Sequence, residues 1–187
     1  MNYLKANKLL LGSITMVLML GITSCKKETY NKLTAEEMKW MAYDTNEQMV
    51  FQSTLGNVRQ HMGVKLKTKG YRRSGETYNE FSQVQFQHYE DTSVVNPGDK
   101  LGELLLVKVN DTFAVYFSWP HFPIESELTS LPVTTAIVKG QTFTDIRLID
   151  ATAFANQRFY ITTVWYSKKY GVVQYEDIFG RKFYRLS

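Results

Sequence analysis

Between Met49 and Leu186, apolar residues recur at every second position in short runs, and no gap between runs is long enough for a crossover helix. In Met62-Gly63-Val64-Lys65-Leu66-Lys67 the even positions are apolar and later odd ones carry lysine. From Phe81 to Tyr89, Val84, Phe86 and His88 share one face, opposite Gln83, Gln85 and Gln87. Asn96-Pro97-Gly98-Asp99 is a turn before Leu104 to Val109, and Asn110-Asp111 reads as a tight turn into Phe113 to Phe117, closing a hairpin. Met49-Val50-Phe51 and segments 133–138, 142–149, 157–166, 171–176 and 181–186 complete about ten expected strands. Parallel βαβ units are thereby excluded. A twisted antiparallel sheet of this length closes or folds over to cover its apolar face and edges. The expected fold is mainly β: an antiparallel barrel or half-barrel, lipocalin-like, with a two-sheet β-sandwich as the alternative. One short N-terminal helix precedes it, where Thr34 and Glu37 form a capping box, extending about two turns to the region of Met41 to Asp44. Sixteen aromatics after position 110 place most of the core in the second half.

The start of the chain is of another kind. Met1 to Lys8 is short and basic, and Leu9 to Ile22 carries no charge. As a helix those residues would span roughly 21 Å, short of a ~30 Å hydrocarbon core but suited to the apolar region of a secretory signal. Loss of residues 1–24 removes Lys5 and Lys8 and lowers the formal net charge from +4 to +2. The whole-chain pI near 9.0 therefore overstates the basicity of the folded part, and no nucleic-acid partner is expected. Aromatic content of 14% excludes a disordered chain, and a single cysteine excludes an internal disulfide.

Ile22-Thr23-Ser24-Cys25 resembles the lipobox of bacterial lipoproteins. The resemblance implies cleavage before Cys25, a lipidated Cys25, and anchoring to the outer membrane of the cell envelope. Lys26-Lys27-Glu28 partly matches the Lys-acidic start of Bacteroidota lipoproteins, leaving periplasmic face and cell surface both open. The stretch from Trp165 to Tyr175, containing Tyr166-Ser167-Lys168-Lys169-Tyr170-Gly171, followed by Gly180 and Phe183, is similar to the ending of small Bacteroidota lipoproteins; this implies kinship and no activity. The expected organisation is a signal peptide at 1–24, a lipidated cysteine and tether at 25–31, and one β-rich domain at 32–187.

With Cys25 carrying lipid, a cysteine nucleophile is excluded. The chain holds no Gly-x-Ser-x-Gly, His-Glu-x-x-His, P-loop or dinucleotide fingerprint. His88 and Glu90 lie two apart on a strand, a spacing that a metal site joined by His121 would use, but isolated strand histidines are ordinary and no metal or cofactor is expected. Glu90-Asp91, Glu125, Glu127, Asp145 and Glu176-Asp177 mostly sit where turns are expected, and nothing singles out a facing pair of the kind that glycoside hydrolysis requires. Trp119-Pro120-His121-Phe122-Pro123 is stiff and aromatic. Exposed, it presents Trp119, His121 and Phe122 to a ligand or partner; buried, it plugs one end of the barrel. Lys65, Lys67, Lys69, Arg72 and Arg73 alternate along a strand and then meet a turn at Tyr71. They suit lipid head groups or an acidic glycan, or alternatively a solvated edge strand that discourages aggregation. The resulting expectation is a membrane-anchored, non-enzymatic envelope lipoprotein binding a small apolar ligand or a protein partner, with a glycan-acting envelope hydrolase as the alternative.

Overall fold

Alternation along the chain produces strands almost everywhere. The structure, a computed structural model, describes residues 28–56, 58–88, 102–154 and 160–186, with His88 described in its backbone alone. The leader, Cys25, Glu90-Asp91 and Asn96-Pro97-Gly98-Asp99 lie outside the described residues. The elements in chain order are β1 (Thr29–Asn31), α1 (Ala35–Met38), β2 (Gln48–Ser53), β3 (Arg59–Ser74), β4 (Thr77–His88), β5 (Gly102–Val109), β6 (Thr112–Ser118), β7 (Ser126–Glu127), β8 (Thr134–Val138), β9 (Gln141–Asp150), β10 (Ile161–Ser167), β11 (Gly171–Asp177) and β12 (Lys182–Arg185). Among the described residues no helix is long and apolar enough to cross a membrane.

The strands form one open sheet in the order β7-β6-β5-β4-β3-β2-β12-β11-β10-β9-β8, antiparallel throughout. β1 stands off this path, parallel to β4. Sheet neighbours are sequence neighbours except at β2 and β12, which join the two ends of the domain through Phe51↔Arg185 and Phe183↔Ser53. The edge strands β7 and β8 are separated in sequence by residues 128–133, a stretch holding the 3₁₀ turn Leu128–Ser130. Laid flat, eleven strands would put those edges about 48 Å apart at ~4.8 Å per step. The connection reaches at most about 25 Å at ~3.6 Å per residue. The sheet must therefore curl, and it does so as a half-barrel rather than splitting into a sandwich. Arg147 Nε donates to Leu128 O (2.9 Å), and Ile161 N donates to His121 O (3.3 Å), tying the two sides across the seam.

Inside the curl lies the main core, with Phe51, Phe86, Phe117, Tyr166, Tyr175 and Phe183 fully covered. Val84, Phe86, Leu104 and Leu106 fill it because the pleat sends alternate residues inward. The core draws on both halves: Phe51, Met62 and Phe86 are as deeply buried as the aromatics beyond position 110. The hairpin turn at Asn110-Asp111 forms as its residues demand, both with positive φ (47° and 66°). Tyr175 and Phe183 pair across β11 and β12, rings 5.0 Å apart and stacked.

Three boundaries differ from the sequence expectation. Residues 29–31 form β1 rather than free tether. The helix is capped as expected, with Thr34 N donating to Glu37 Oε2 (2.6 Å) and Glu37 N to Thr34 Oγ1 (3.2 Å), but it stops at Met38. A helix this short is held by its tertiary contacts, and just beyond it Trp40 and Tyr43 enter the core. β3 runs through Tyr71 to Ser74 and turns at Gly75-Glu76, because strand pairing continues after the buried alternation ends.

Candidate functional site

The Trp119 to Pro123 segment closes one end of the half-barrel. Trp119 and Phe122 are 1% and 3% exposed. The Trp119 ring meets those of Phe86 (4.9 Å), Phe51 (5.9 Å) and Phe117 (5.9 Å). Its Nε1 is buried and finds no acceptor among the described residues. His121 is half-buried with φ of 59°, its ring stacked on Tyr160 at 4.8 Å. Of the two forms weighed for this loop, Trp119 and Phe122 take the buried one, as part of the plug. Gly102 permits it: a Cβ there would lie 2.4 Å from Pro120 Cδ. The segment around α1 covers the other end, where Tyr166 Oη donates to Trp40 O (2.8 Å) and Val172 N to Tyr43 Oη (2.7 Å).

Of the acids marked in the sequence, Glu127, Asp145, Glu176 and Asp177 lie in strands, each with a hydrogen-bond or ion-pair partner. Asp177 is buried, accepting from Arg181 Nε (2.7 Å) and from the amides of Phe179 and Arg181. Asp145 accepts from Ser167 Oγ and Lys169 N, and Glu127 from Thr129 Oγ1. Glu176 stands 4.0 Å from Lys182. The His88 side chain and Glu90 lie outside the described residues, and among those described no three His, Cys, Asp or Glu side chains gather as a metal site would require.

A second apolar cluster lies on the opposite face of β8 to β12, formed by Val138, Phe143, Ile146, Val173 and Tyr184 with Trp165 and Leu186 against it. Beside it opens a cleft of about 430 Å³, within the range of small-ligand sites. Its aromatic and cationic walls come from four places, with Ala42 and Gln48 completing the rim. The β8–β9 turn, with Lys139 and Gly140 both at positive φ, projects Lys139 so that Nζ sits 4.4 Å from the Tyr184 ring. β9 supplies Phe143, whose ring meets Tyr170 edge-on at 5.5 Å. The β10–β11 turn supplies Tyr170 and Lys169, with Lys169 Nζ 4.8 Å from the Tyr170 ring. β12 supplies Tyr184 and Arg185; Arg185 Nη1 donates to Tyr170 O (2.7 Å) while Nη2 pairs with Glu47. Val138, Val173 and Leu186 give the cleft an apolar floor.

The electrostatics favour an anion. Lys139, Lys169 and Arg185 all line the cleft, with Glu47 paired to the last. The Tyr170 hydroxyl, hydrogen-bonded to Lys169, raises the ammonium above its ordinary range, with charge reinforcing the effect. Lys169 is therefore fully charged at neutral pH. Sequence reasoning found none of this because the lining is scattered from Ala42 to Leu186. Two local stretches carry lining residues: Val138-Lys139-Gly140-Gln141, a tight turn with a cation at its apex, and Lys169-Tyr170-Gly171 within the Trp165 to Tyr175 stretch.

Comparison with protein-family models, curated proteins and solved structures returns no match. Fold and site together define a half-barrel β domain with a filled interior and a basic, aromatic-walled cleft on its outer side.

Proposed function

We propose that this chain is a membrane-anchored, non-catalytic lipoprotein of the cell envelope whose β domain captures a small ligand with an apolar body and one anionic group. The lipobox at Ile22-Thr23-Ser24-Cys25 supports the anchoring. The observation that carries the binding role is the cleft, where Lys139, Lys169 and Arg185 surround an apolar floor. Because aromatic side chains fill the interior of the curl, an outer site suits a ligand better than a lipocalin-type interior site.

Two measurements test this. The intact mass of the mature protein should correspond to a start at an acylated Cys25, and Cys25→Ser should abolish both lipid and membrane retention. Calorimetric titration with laurate, a carboxylate on an apolar tail, should show saturable binding, and Lys139→Gln with Lys169→Gln should weaken it about tenfold, each cation contributing up to ~1 kcal/mol. Absence of binding at millimolar laurate, or binding indifferent to both substitutions, would remove the cleft from the proposal.

A further inference from the structure

β1 makes a connection that a free tether would not. Thr29, Tyr30 and Asn31 pair with Thr77, Tyr78 and Asn79, next to the turn of the long β3–β4 hairpin, and Thr29 N donates to Glu76 O (3.2 Å). The attachment is locked from several sides. Asn31 Nδ2 donates to Asn79 Oδ1 (2.8 Å) in a buried bond, and Leu33 N donates to Glu80 Oε2 (2.7 Å). Glu80 in turn holds Lys69 at 2.7 Å. Cys25 precedes Thr29 by four residues, and extended chain covers at most ~3.6 Å per residue. The chain between Cys25 and Thr29 therefore spans at most about 14 Å, and Thr29 is paired beside the hairpin tip.

That tip carries side chains suited to a bilayer surface. Tyr30 and Tyr71, 49% and 45% exposed, meet edge-on at 5.7 Å, and Tyr30 stacks on Tyr78 at 4.8 Å. Arg73 lies over the Tyr78 ring and Arg72 over that of Phe81, and both arginines are exposed. Lys69 and Lys32 sit near Glu80, with Glu28 and Glu76 as the other acids, while Lys26 and Lys27 precede Glu28. Amphipathic tyrosines beside arginines match a headgroup layer, where aromatic rings and cations collect.

We infer that the β3–β4 hairpin tip, with β1, is the surface through which the anchored domain docks on an anionic phospholipid bilayer, setting the orientation of the half-barrel. This rests on the lipidation of Cys25 proposed above. With the anchor so close, the tip is held at high effective concentration near the bilayer, so contacts too weak to recruit a free protein suffice to dock this one. β3 spans about 50 Å at ~3.3 Å per residue. The exposed turn at Leu55, beyond its other end, then points away from the membrane.

The test uses the acylated protein in vesicles of phosphatidylethanolamine and phosphatidylglycerol. Once Cys25 carries lipid, an introduced cysteine is the only free thiol. A fluorophore placed through Ser74→Cys should be quenched strongly by headgroup-nitroxide lipid, and one placed through Leu55→Cys should not. Replacing Arg72 and Arg73 by Gln should lower the docked-to-undocked ratio about fivefold for each arginine. Equal quenching at the two sites, or quenching at Ser74 unchanged by the arginine substitutions, overturns the docking surface while an acylated N-terminal mass leaves the lipoprotein reading intact. An unacylated Cys25 overturns both.

Discussion

Replacing Gly171 by alanine should destabilise the domain far more than the loss of one glycine ordinarily does. Gly171 opens β11 at φ +71°, where an L side chain costs about 1–2 kcal/mol. A Cβ there would also lie 2.4 Å from both Cζ and Oη of Tyr43, a ring that is fully buried. Because the added methyl group would fall on Cζ and Oη themselves, the Tyr43 ring must shift and give up the hydrogen bond that its Oη accepts from Val172 N. Leaving that buried amide unpaired adds about 1–3 kcal/mol. The expected total is about 2–5 kcal/mol, a large share of the stability of a domain this size. A matched control lies in the same protein. Gly140 has φ +79° but nothing within 4 Å of an added methyl group, so Gly140→Ala isolates the backbone cost of about 1–2 kcal/mol. Urea unfolding of both variants, with thermal melts in parallel, reads the difference; at ~2–4 °C per kcal/mol Gly171→Ala should melt roughly 10 °C below wild type. If Gly171→Ala costs no more than Gly140→Ala, Tyr43 is not the constraint on this turn and the reasoning fails.

Alkaline stability tests the same buried rings. Burial pushes the hydroxyls of Tyr43 and Tyr166 above their ordinary value of 10.0, so both stay protonated in the fold after they would ionise in the unfolded chain. Their contribution is complete below pH 10 and is lost as pH rises beyond it, at about 1.4 kcal/mol per pH unit for each. Equilibrium unfolding between pH 9 and pH 11 should show the fall, and Tyr166→Phe should make it shallower. At the plug, Trp119→Ala should cost about 3–5 kcal/mol by opening a cavity. Trp119→Phe should cost much less than the alanine variant, because the indole N–H has no acceptor to lose among the described residues, and neither change should alter laurate titration.

What could be read from the residues depended on how local each cause was. Val84 and Phe86 alternate with glutamines, and the pleat alone sends them inward. Asn110-Asp111 accepts positive φ through its own side chains, and Thr34 with Glu37 completes a cap within one turn. The end of β3 was not legible, because residues 71–76 are exposed and burial imposes no pattern there. Nor was β1, whose three residues become a strand only through Tyr78, Asn79 and Glu76 on a hairpin nearly fifty positions away. The cleft was hidden for a third reason. Val173, Lys139 and Tyr184 are ordinary strand and turn residues separately, and only the meeting of β8–β9 with β11–β12 makes them one surface.

That surface is also fixed before anything occupies it. Ser167 Oγ donates to Asp145 and receives the amides of Lys169 and Tyr170, so the turn bearing two lining residues is pinned from within. Arg185 pins it from outside through Tyr170 O, and Tyr43 packs beneath Gly171. The aromatic walls therefore lose little ordering entropy when a ligand arrives. The ammonium groups of Lys139 and Lys169 are different: each rests on a tyrosine face at the end of a flexible stem. Exchanging that face for an anion costs a weak cation–π contact of about 0.5–1 kcal/mol, and for Lys169 also its hydrogen bond with the Tyr170 hydroxyl, and gains a charge-assisted hydrogen bond. On the proposed reading, a rigid apolar floor with cations free to swing inward would select for one anionic group on an apolar body and discriminate against a neutral ligand of the same shape.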